Sequence, residues 1–377
     1  MGGDVFRDEY SLEFDGTNDY VNLGNQTNSG DDISVAAWVK LSVSQVAPII
    51  TFGQLYFRLN SSTEIRFWAD STGNSTITTI PNCLNKWIHL AVSSDAGVNK
   101  VYANGVLLET ETDTTLGNSA AASYIGRYST AYFEGKISDV TIYNKVLSTS
   151  EVKTIYNDGE PYNHKDGICS GNLTNWWRMG DRALDSYPLI QSQENAIIGI
   201  SNLISNDTFD ANTTGWEQYS EGTDNVISRE TSIVRTGSGS LKITYKTGNN
   251  GWGAKTESDV TYPANKFMLM EGYVYIPSSG YNGGAPYLHD GGGLGSGAAH
   301  EKQLPPSDVT ITDQWQYTYS GHHLSSDTSS SIFLHTTGTN PSADDILYWD
   351  DIRVRIFDGN PGLMINMGAN QFKGDTP

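Results

Sequence analysis

Residues 131–160, AYFEGKISDVTIYNKVLSTSEVKTIYNDGE, decide how the first half of the chain is read. Apolar and polar residues alternate up to Asn144 and Lys145, the pattern of a strand with one buried face. A single short helix is expected next. Ser148 and Glu151 stand at the capping-box spacing, in which each side chain satisfies an orphan amide at the helix N-terminus.

Outward from this stretch, residues 10–160 read as consecutive strands. Residues 11–14 and 20–23 flank the turn Asp15-Gly16-Thr17-Asn18, a strong hairpin signal. Residues 33–41 follow with Val35, Ala37 and Val39 on one face, then 49–52, 55–59, 64–69 and 87–92. Asn104-Gly105 joins Val101-Tyr102-Ala103 to Val106-Leu107-Leu108, and suits a type I′ turn because both central residues need positive φ. Strands so short and evenly spaced imply two packed antiparallel sheets.

The full chain, 377 residues, is long enough for two or three domains. Its hydrophobic fraction is only 37%, yet 21 Tyr and 9 Trp argue against disorder. Abundant Thr, Ser, Asn and Gly fit short strands joined by polar turns. The expected fold class is all-β: two antiparallel β-sandwich jelly rolls in tandem, with one short helix after the first. With 43 acidic and 23 basic residues the net charge is −20, a field that repels phosphate backbones and anionic membranes and attracts divalent cations. Nucleic acid is therefore not an expected partner. No run of about 18 apolar residues exists, so no membrane insertion is expected. The N-terminal MGGDVFRDEYSLEF has no basic region followed by an apolar core, so no secretion signal is expected. Cys83 and Cys169 match no metal or redox spacing and are either two free thiols or one disulfide, free thiols being favoured.

SLEFDGTNDYVNLG, ISVAAWVKL, NKWIHLAV, KVYANGVLLE, YIGR and FEGKISDVTIYNKVLSTSEV occur in the order of a concanavalin-A-like, laminin-G/pentraxin-type domain, which residues 8–160 resemble. The resemblance implies a lectin-like sandwich over 1–160. In the connecting segment 161–200, LTNWWRMGDRALDSYPLI resembles a string that follows laminin-G-like domains in tailed-phage virion proteins. GLMINMGANQFKGDTP, in the C-terminal tail 359–377, resembles the end of that string, as though an insertion had split one element in two. Residues 201–358 form a second β unit. There NLISNDTFDANTTGW, RTGSGSLKITY, EGYVYIP, TDQWQYTYS and ILYWDDIRV are similar, in order, to carbohydrate-binding modules with a galactose-binding-like jelly roll, the cellulose- and xylan-binding type. Residues 281–300, with GGG and GSGAA, read as a long glycine-rich loop.

The resemblance implies calcium as well as sugar. Calcium takes about six to eight oxygen ligands, which loops at one end of a sandwich converge to supply. In the first unit the candidates are Asp15, Asp19 and Asp139. The family commonly has two acidic residues where this chain reads Ser138-Asp139, and Asx-turn caps explain Asp15 and Asp19 equally well. In the second, Asp350-Asp351 resembles the acidic pair of the family's last strand, with Asp207, Asp210 and carbonyls around 237–240 completing a structural site; a hydrated, metal-free pair is the alternative. Glycan binding needs flat rings for the CH faces of sugars and polar groups for the hydroxyls. Trp252, Tyr281 and Tyr287, in or beside glycine-rich loops, are the candidates in the second unit, and Arg127, Tyr128 and Tyr132 in the first; packing onto their own loops is the competing fate. Trp38, Trp87, Trp315 and Trp349 lie within strands and are expected in the core.

Catalysis finds little support. The Glu-x-Asp-x-x-Glu spacing of glucanases with the concanavalin-like fold is absent. His322 and His323 would point to opposite faces of a strand, and His89 alternates with Trp87 and Ala91 as a core or sub-surface residue. No nucleophile elbow, phosphate loop or zinc motif occurs. The expected function is non-enzymatic glycan binding or adhesion by a virus particle, as a tailed-phage decoration protein or fibre component made in the host cytoplasm and displayed on the virion surface. Its partners would be a cell-surface or environmental polysaccharide, other virion proteins and copies of itself, a trimer being common in such appendages. The alternatives are a purely structural capsid or tail cement, and the accessory binding region of a polysaccharide-degrading enzyme.

Overall fold

The computed structural model describes residues 9–27, 32–69, 75–112, 120–180, 188–190, 202–219, 225–246, 252–264, 266–290, 308–323, 328–336, 339–357, 361–365, 367 and 369–377. The N-terminal arm 1–8 and the GSGAA portion of the glycine-rich loop lie outside the described residues. The chain forms two units: Met1–Ala196 with Asn360–Pro377, and Ile197–Gly359.

In the first unit, Glu134–Tyr143 is a strand and Thr149–Tyr156 a helix. The capping box is complete: the Ser148 hydroxyl accepts from the Glu151 amide, and the Glu151 carboxylate accepts from the Ser148 amide. That strand is the axis of a sheet ordered Val106–Thr112, Val98–Ala103, Ile88–Asp95, Ile33–Leu41, Glu134–Tyr143, Ser11–Asp15, Phe372–Lys373. Its one flank pairs with Ile33–Leu41 throughout. Its other flank pairs first with Ser11–Asp15 and then with Leu173–Trp177. The partner changes at a bulge between Ser138 and Thr141, where Asp139 has φ 53°. Asn104 and Gly105 have φ 48° and 74°, as the hairpin reading requires.

The second sheet runs Leu189–Ile190, Gly362–Ile365, Tyr20–Gln26, Ala121–Ile125, Ala47–Phe52, Leu55–Ser61, Glu64–Ala69, Thr76–Thr79. Its inner residues Val21, Ile125, Ile50, Phe57 and Phe67 pack against Val35, Ala37, Val39, Ile137 and Ile142 of the first sheet. The far side of the first sheet is also closed, since Ala36, Ala91, Tyr102 and Tyr143 lie under Val152 and Ile155 of the helix.

The connecting segment and tail expected at 161–200 and 359–377 are built into this sandwich rather than strung beside it. Leu189–Ile190 pairs with Gly362–Ile365, which pairs with the start of Tyr20–Gln26, and Phe372–Lys373 pairs with Ser11 and Leu12. The two strings separated by the second unit thus meet. Near the C-terminus, the Asp375 carboxylate accepts from Lys40 at 3.0 Å, Trp87 Nε1 at 3.2 Å and Lys136. Burial would raise this carboxyl, but those donors hold it down at about 2.

The second unit is all-β too. One sheet is ordered Val226–Glu230, Ser240–Thr244, Ile346–Phe357, Phe267–Tyr275, Trp315–His323, and the facing one Trp216–Gln218, Trp252–Thr256, Phe333–Thr336, Pro286–His289. Leu241, Ile243, Trp349, Ile352 and Val354 meet Trp216, Ala254, Leu288 and Leu334 in its core. The long strand Ile346–Phe357 carries its own bulge, with Asp351 at φ 51°. Trp38 and Trp349 are core as expected, whereas Trp87 and Trp315 are only half-buried, because Trp87 is drawn to Asp375 and Trp315 packs edge-on against Tyr275 at 5.6 Å. Cys83 and Cys169 are free thiols; burial pushes Cys83 up to about 11.

Candidate functional site

Side chains alternate along a strand, so each inner row of a sheet implies an outer one. Across the second sheet of the first unit that outer row is Asn22, Tyr124, Thr51, Tyr56 and Trp68, in direct register over five strands. Tyr56 and Trp68 stack with centroids 4.9 Å apart and planes at 16°. Tyr128 stands edge-on to both, at 5.0 and 5.4 Å. At the other end the Arg127 guanidinium lies 4.5 Å over Tyr20, 4.9 Å from Tyr124 and 5.8 Å from Tyr132. Arg127–Tyr128 and Ala131–Tyr132 pair as a two-stranded ribbon, which brings the three predicted residues together. Sequence reasoning missed Tyr20, Tyr56, Trp68 and Tyr124. The signal was present: in LYFRL (55–59) and EIRFW (64–68) an aromatic or arginine takes each position between buried apolar residues.

The second unit has a comparable row. Trp252, His335 and Tyr287 are in register across three strands, on the face opposite Ala254, Leu334 and Leu288. The Trp252 ring is 4.2 Å from His335 and 4.8 Å from Phe333. Tyr219 is edge-on to Trp252 and Phe333 at 5.6 and 5.1 Å. The Tyr287 hydroxyl meets His335 Nδ1. Trp252 and Tyr287 therefore do come together, but on strands rather than loops, with His335 between them. Tyr281 does not join: its ring packs on the core, its hydroxyl donates to the Gly284 carbonyl, and burial raises its phenol above the ordinary range.

Residues 15–153 match the concanavalin A-like lectin/glucanases superfamily. Among solved structures, a Bacteroides ovatus protein proposed to bind carbohydrate is 16% identical over 50% of this chain and 56% of its own, with a TM-score of 0.39. The heptameric SAP-like pentraxin of Limulus polyphemus is 17% identical over 44% of this chain and 86% of its own, with a TM-score of 0.35. The CBM22-1 xylan-binding domain of Paenibacillus barcinonensis Xyn10C is 14% identical over 41% of this chain and 93% of its own, with a TM-score of 0.29. The chain thus spans little more than half the length of the first of these. No curated protein matches the sequence.

The acidic candidates of the lectin-like unit divide. Asp15 Oδ1 accepts from the amides of Thr17 and Asn18 at 2.8 and 3.2 Å, and Asp19 Oδ2 accepts from the Asp15 amide at 3.1 Å. Asp139 is elsewhere. Its Oδ2 is 3.0 Å from His164 Nε2, its Oδ1 accepts the Trp176 indole N–H, and His164 Nδ1 meets the Tyr143 hydroxyl. In the second unit Asp350 takes the amides of Arg235 and Thr236 on one oxygen, at 2.9 and 3.2 Å, and that of Asp351 on the other, at 2.9 Å. Asp351 accepts from the Thr236 hydroxyl at 2.7 Å and from the Arg235 guanidinium. Asp210 accepts from the Ser238 amide and the Thr208 hydroxyl, and Asp207 from Asn202 at 2.9 Å. As placed, the second unit's carboxylates face hydrogen-bond donors and an arginine, which does not fit an oxygen shell around calcium. Among the described residues no group of three or more His, Cys, Asp or Glu could hold a metal ion. The side chains of His322 and His323 lie outside the described residues.

Asp19 supplies a pH prediction. It is 2% exposed, and burial, with the Asp15 charge beside it, raises its carboxyl from 3.8 to about 6. The folded state then keeps a proton that the unfolded state releases, so stability falls as pH rises through that window. Asn keeps the acceptor for the Asp15 amide and removes the charge. Asp19→Asn is expected to add about 1–2 kcal/mol at pH 7 and no more than about 0.5 kcal/mol at pH 4. Melting curves at the two pH values check it; a gain independent of pH would contradict it.

Proposed function

We propose that this protein is a non-enzymatic glycan-binding adhesin displayed on a virus particle, holding a cell-surface or environmental polysaccharide through both units. One observation carries the reading: each unit sets aromatic rings in register on the face of a sheet turned away from its core, with Tyr56, Tyr124 and Trp252 half-buried and Trp68 and Tyr287 each 7% exposed. Rings held on paired strands are ordered before contact, so a sugar packing against them does not have to order them. The lectin-superfamily match over 15–153 supports it, and the likeness of LTNWWRMGDRALDSYPLI to a tailed-phage virion string supports the setting. The polar groups beside the rows are amides, hydroxyls, guanidiniums and a histidine, which suit holding. The adjoining carboxylates of Glu64 and Glu217 are engaged by Asn60 at 2.7 Å and Lys255 at 2.9 Å.

A glycan array probed with the intact chain tests this. Trp68→Ala and Trp252→Ala should each weaken binding about 5- to 30-fold, since a stacked ring contributes about 1–2 kcal/mol. Together they should abolish it, because two linked weak sites gain by effective concentration. Unchanged binding in the double variant, or turnover of a bound polysaccharide, would overturn the proposal. Immunogold labelling of purified particles tests the virion setting.

A further inference from the structure

We propose that the outer row of the lectin-like unit is an acidic-sugar site, in which Arg58 and Arg66 flank the Trp68 ring and receive the carboxylate or sulfate of a polysaccharide. The inference rests on reading that row as a sugar platform and adds the class of sugar. Arg58 and Arg66 sit directly opposite one another on neighbouring strands, two pairs along from Tyr56 and Trp68, past the core pair Phe57 and Phe67. Both guanidiniums are 5.0 Å from the Trp68 ring centroid. The ring attracts each cation, but the two like charges repel one another, and an anion between them would relieve that repulsion. Burial, and then the charge of Arg66, lowers the proton affinity of Arg58.

Among the described residues no carboxylate pairs with these arginines, and the adjoining Glu64 is engaged by Asn60 at 2.7 Å. In a chain with 43 acidic residues and a net charge of −20, three arginines of this face, Arg58, Arg66 and Arg127, have no carboxylate partner among the described residues. Arg58 Nε donates to the Asn60 amide oxygen at 3.1 Å, and Arg127 Nε to the Ser129 carbonyl at 3.3 Å. Arg66 Nε is buried and has no hydrogen-bond partner. Elsewhere Arg235 pairs with Asp351, and Arg355 with Glu271 at 2.8 Å. An arginine pair beside stacked rings suits a ligand that brings both a flat CH face and an anionic group able to accept two guanidinium hydrogen bonds. A hexuronate, a sialate and a sulfated hexose all have that combination; a neutral hexose lacks the acceptor.

Binding of the intact protein to polygalacturonate and to its fully methyl-esterified form isolates the charge, because the two share a backbone. Polysialate, dextran sulfate, unmodified dextran and inorganic polyphosphate complete the panel. At least tenfold tighter binding to one or more acidic glycans than to the neutral ones is the expected result, and whether carboxylated or sulfated probes lead identifies the anion. The preference should fall with added salt and disappear in Arg58→Gln/Arg66→Gln, with Arg66→Lys intermediate because it keeps charge but loses the fork. Equal binding to acidic and neutral glycans would overturn the acidic-sugar site while leaving the adhesin reading in place. Polyphosphate binding as tightly as the best glycan would also overturn it, reducing the face to a general anion surface. Binding to no glycan at all would remove the adhesin reading itself. Should the double variant fail to fold, the comparison of esterified and free polygalacturonate on the unaltered protein still decides.

Discussion

His164→Ala is expected to destabilise the lectin-like unit by about 3–5 kcal/mol, which lowers its melting temperature by about 6–20 °C. His164 is 1% exposed and stands between the Asp139 carboxylate and the Tyr143 hydroxyl. Truncation takes the His164 partner from a buried carboxylate and from the Tyr143 hydroxyl. Asp139 cannot turn away, because its backbone is held at φ 53° in the bulge where Glu134–Tyr143 changes partner. The triad therefore ties that bulge to the segment leading into Leu173–Trp177. It also sets an acid limb. Burial would raise the Asp139 carboxyl, but His164 and Trp176 hold it below the ordinary value of 3.8. A depressed acid stabilises the fold above its unfolded pKa and loses that stabilisation as pH falls through the folded one. In His164→Ala the acid limb should move to higher pH as well as start from a lower plateau. Asp139→Asn should be milder, since an amide still accepts from Trp176 and donates to His164. Thermal melts between pH 3 and 8 measure both; a loss under about 1 kcal/mol would mean the triad is not a tie.

The triad shows where sequence reading runs out. Asp139 was legible as an unusual acid on the signature strand, and the family's acidic pair suggested calcium. His164 lies 25 residues on, in a stretch with no periodicity, and nothing in the chain announces that the two meet. The helix start was legible because a capping box is local: Ser148 and Glu151 are three residues apart. The hairpin at Asn104-Gly105 was legible for the same reason. Strands such as Leu189–Ile190 and Phe372–Lys373 are too short to show alternation, so a segment that completes two sheets reads as linker and tail. The aromatic rows fall between these cases. Each ring sits in a recognisable strand, yet the row exists only once Tyr124, Thr51, Tyr56 and Trp68 fall into register across four strands. Looking for rings in loops found Arg127, Tyr128 and Tyr132, which edge the row, and Trp252 and Tyr287, which belong to its counterpart; it also found Tyr281, which the core has taken. Registers are set by packing over the whole sheet, and that information is not local.

Gly135→Ala is expected to be comparably damaging, at about 3 kcal/mol or more, and to weaken glycan binding by the lectin-like unit as well. Gly135 pairs with Leu41 on one side and Phe14 on the other and has φ 139°, a conformation L side chains rarely adopt. A Cβ there would run into the Lys40 carbonyl oxygen and stand 3.0 Å from both Leu41 Cα and Ser42 N. All three obstacles are backbone, so no side chain can swing aside to make room. Relief requires the start of Glu134–Tyr143 to move off Ile33–Leu41. The residues that would follow are those that aim the ribbon: the Phe133 amide donates to Gly126 at 2.9 Å, and the Gly16 amide donates to the Phe133 carbonyl at 3.0 Å. Gly126 directly precedes Arg127, so a shift at Gly135 reaches the guanidinium that covers Tyr20, Tyr124 and Tyr132. Gly171→Ala is the matched control, because a Cβ there meets nothing within 4 Å; it should stay within about 0.5 kcal/mol of the unaltered protein. If Gly135→Ala melts early yet binds glycan at temperatures below its transition as tightly as the control, the ribbon is not aimed through this contact, and the stacked pair of Tyr56 and Trp68 holds the sugar without it.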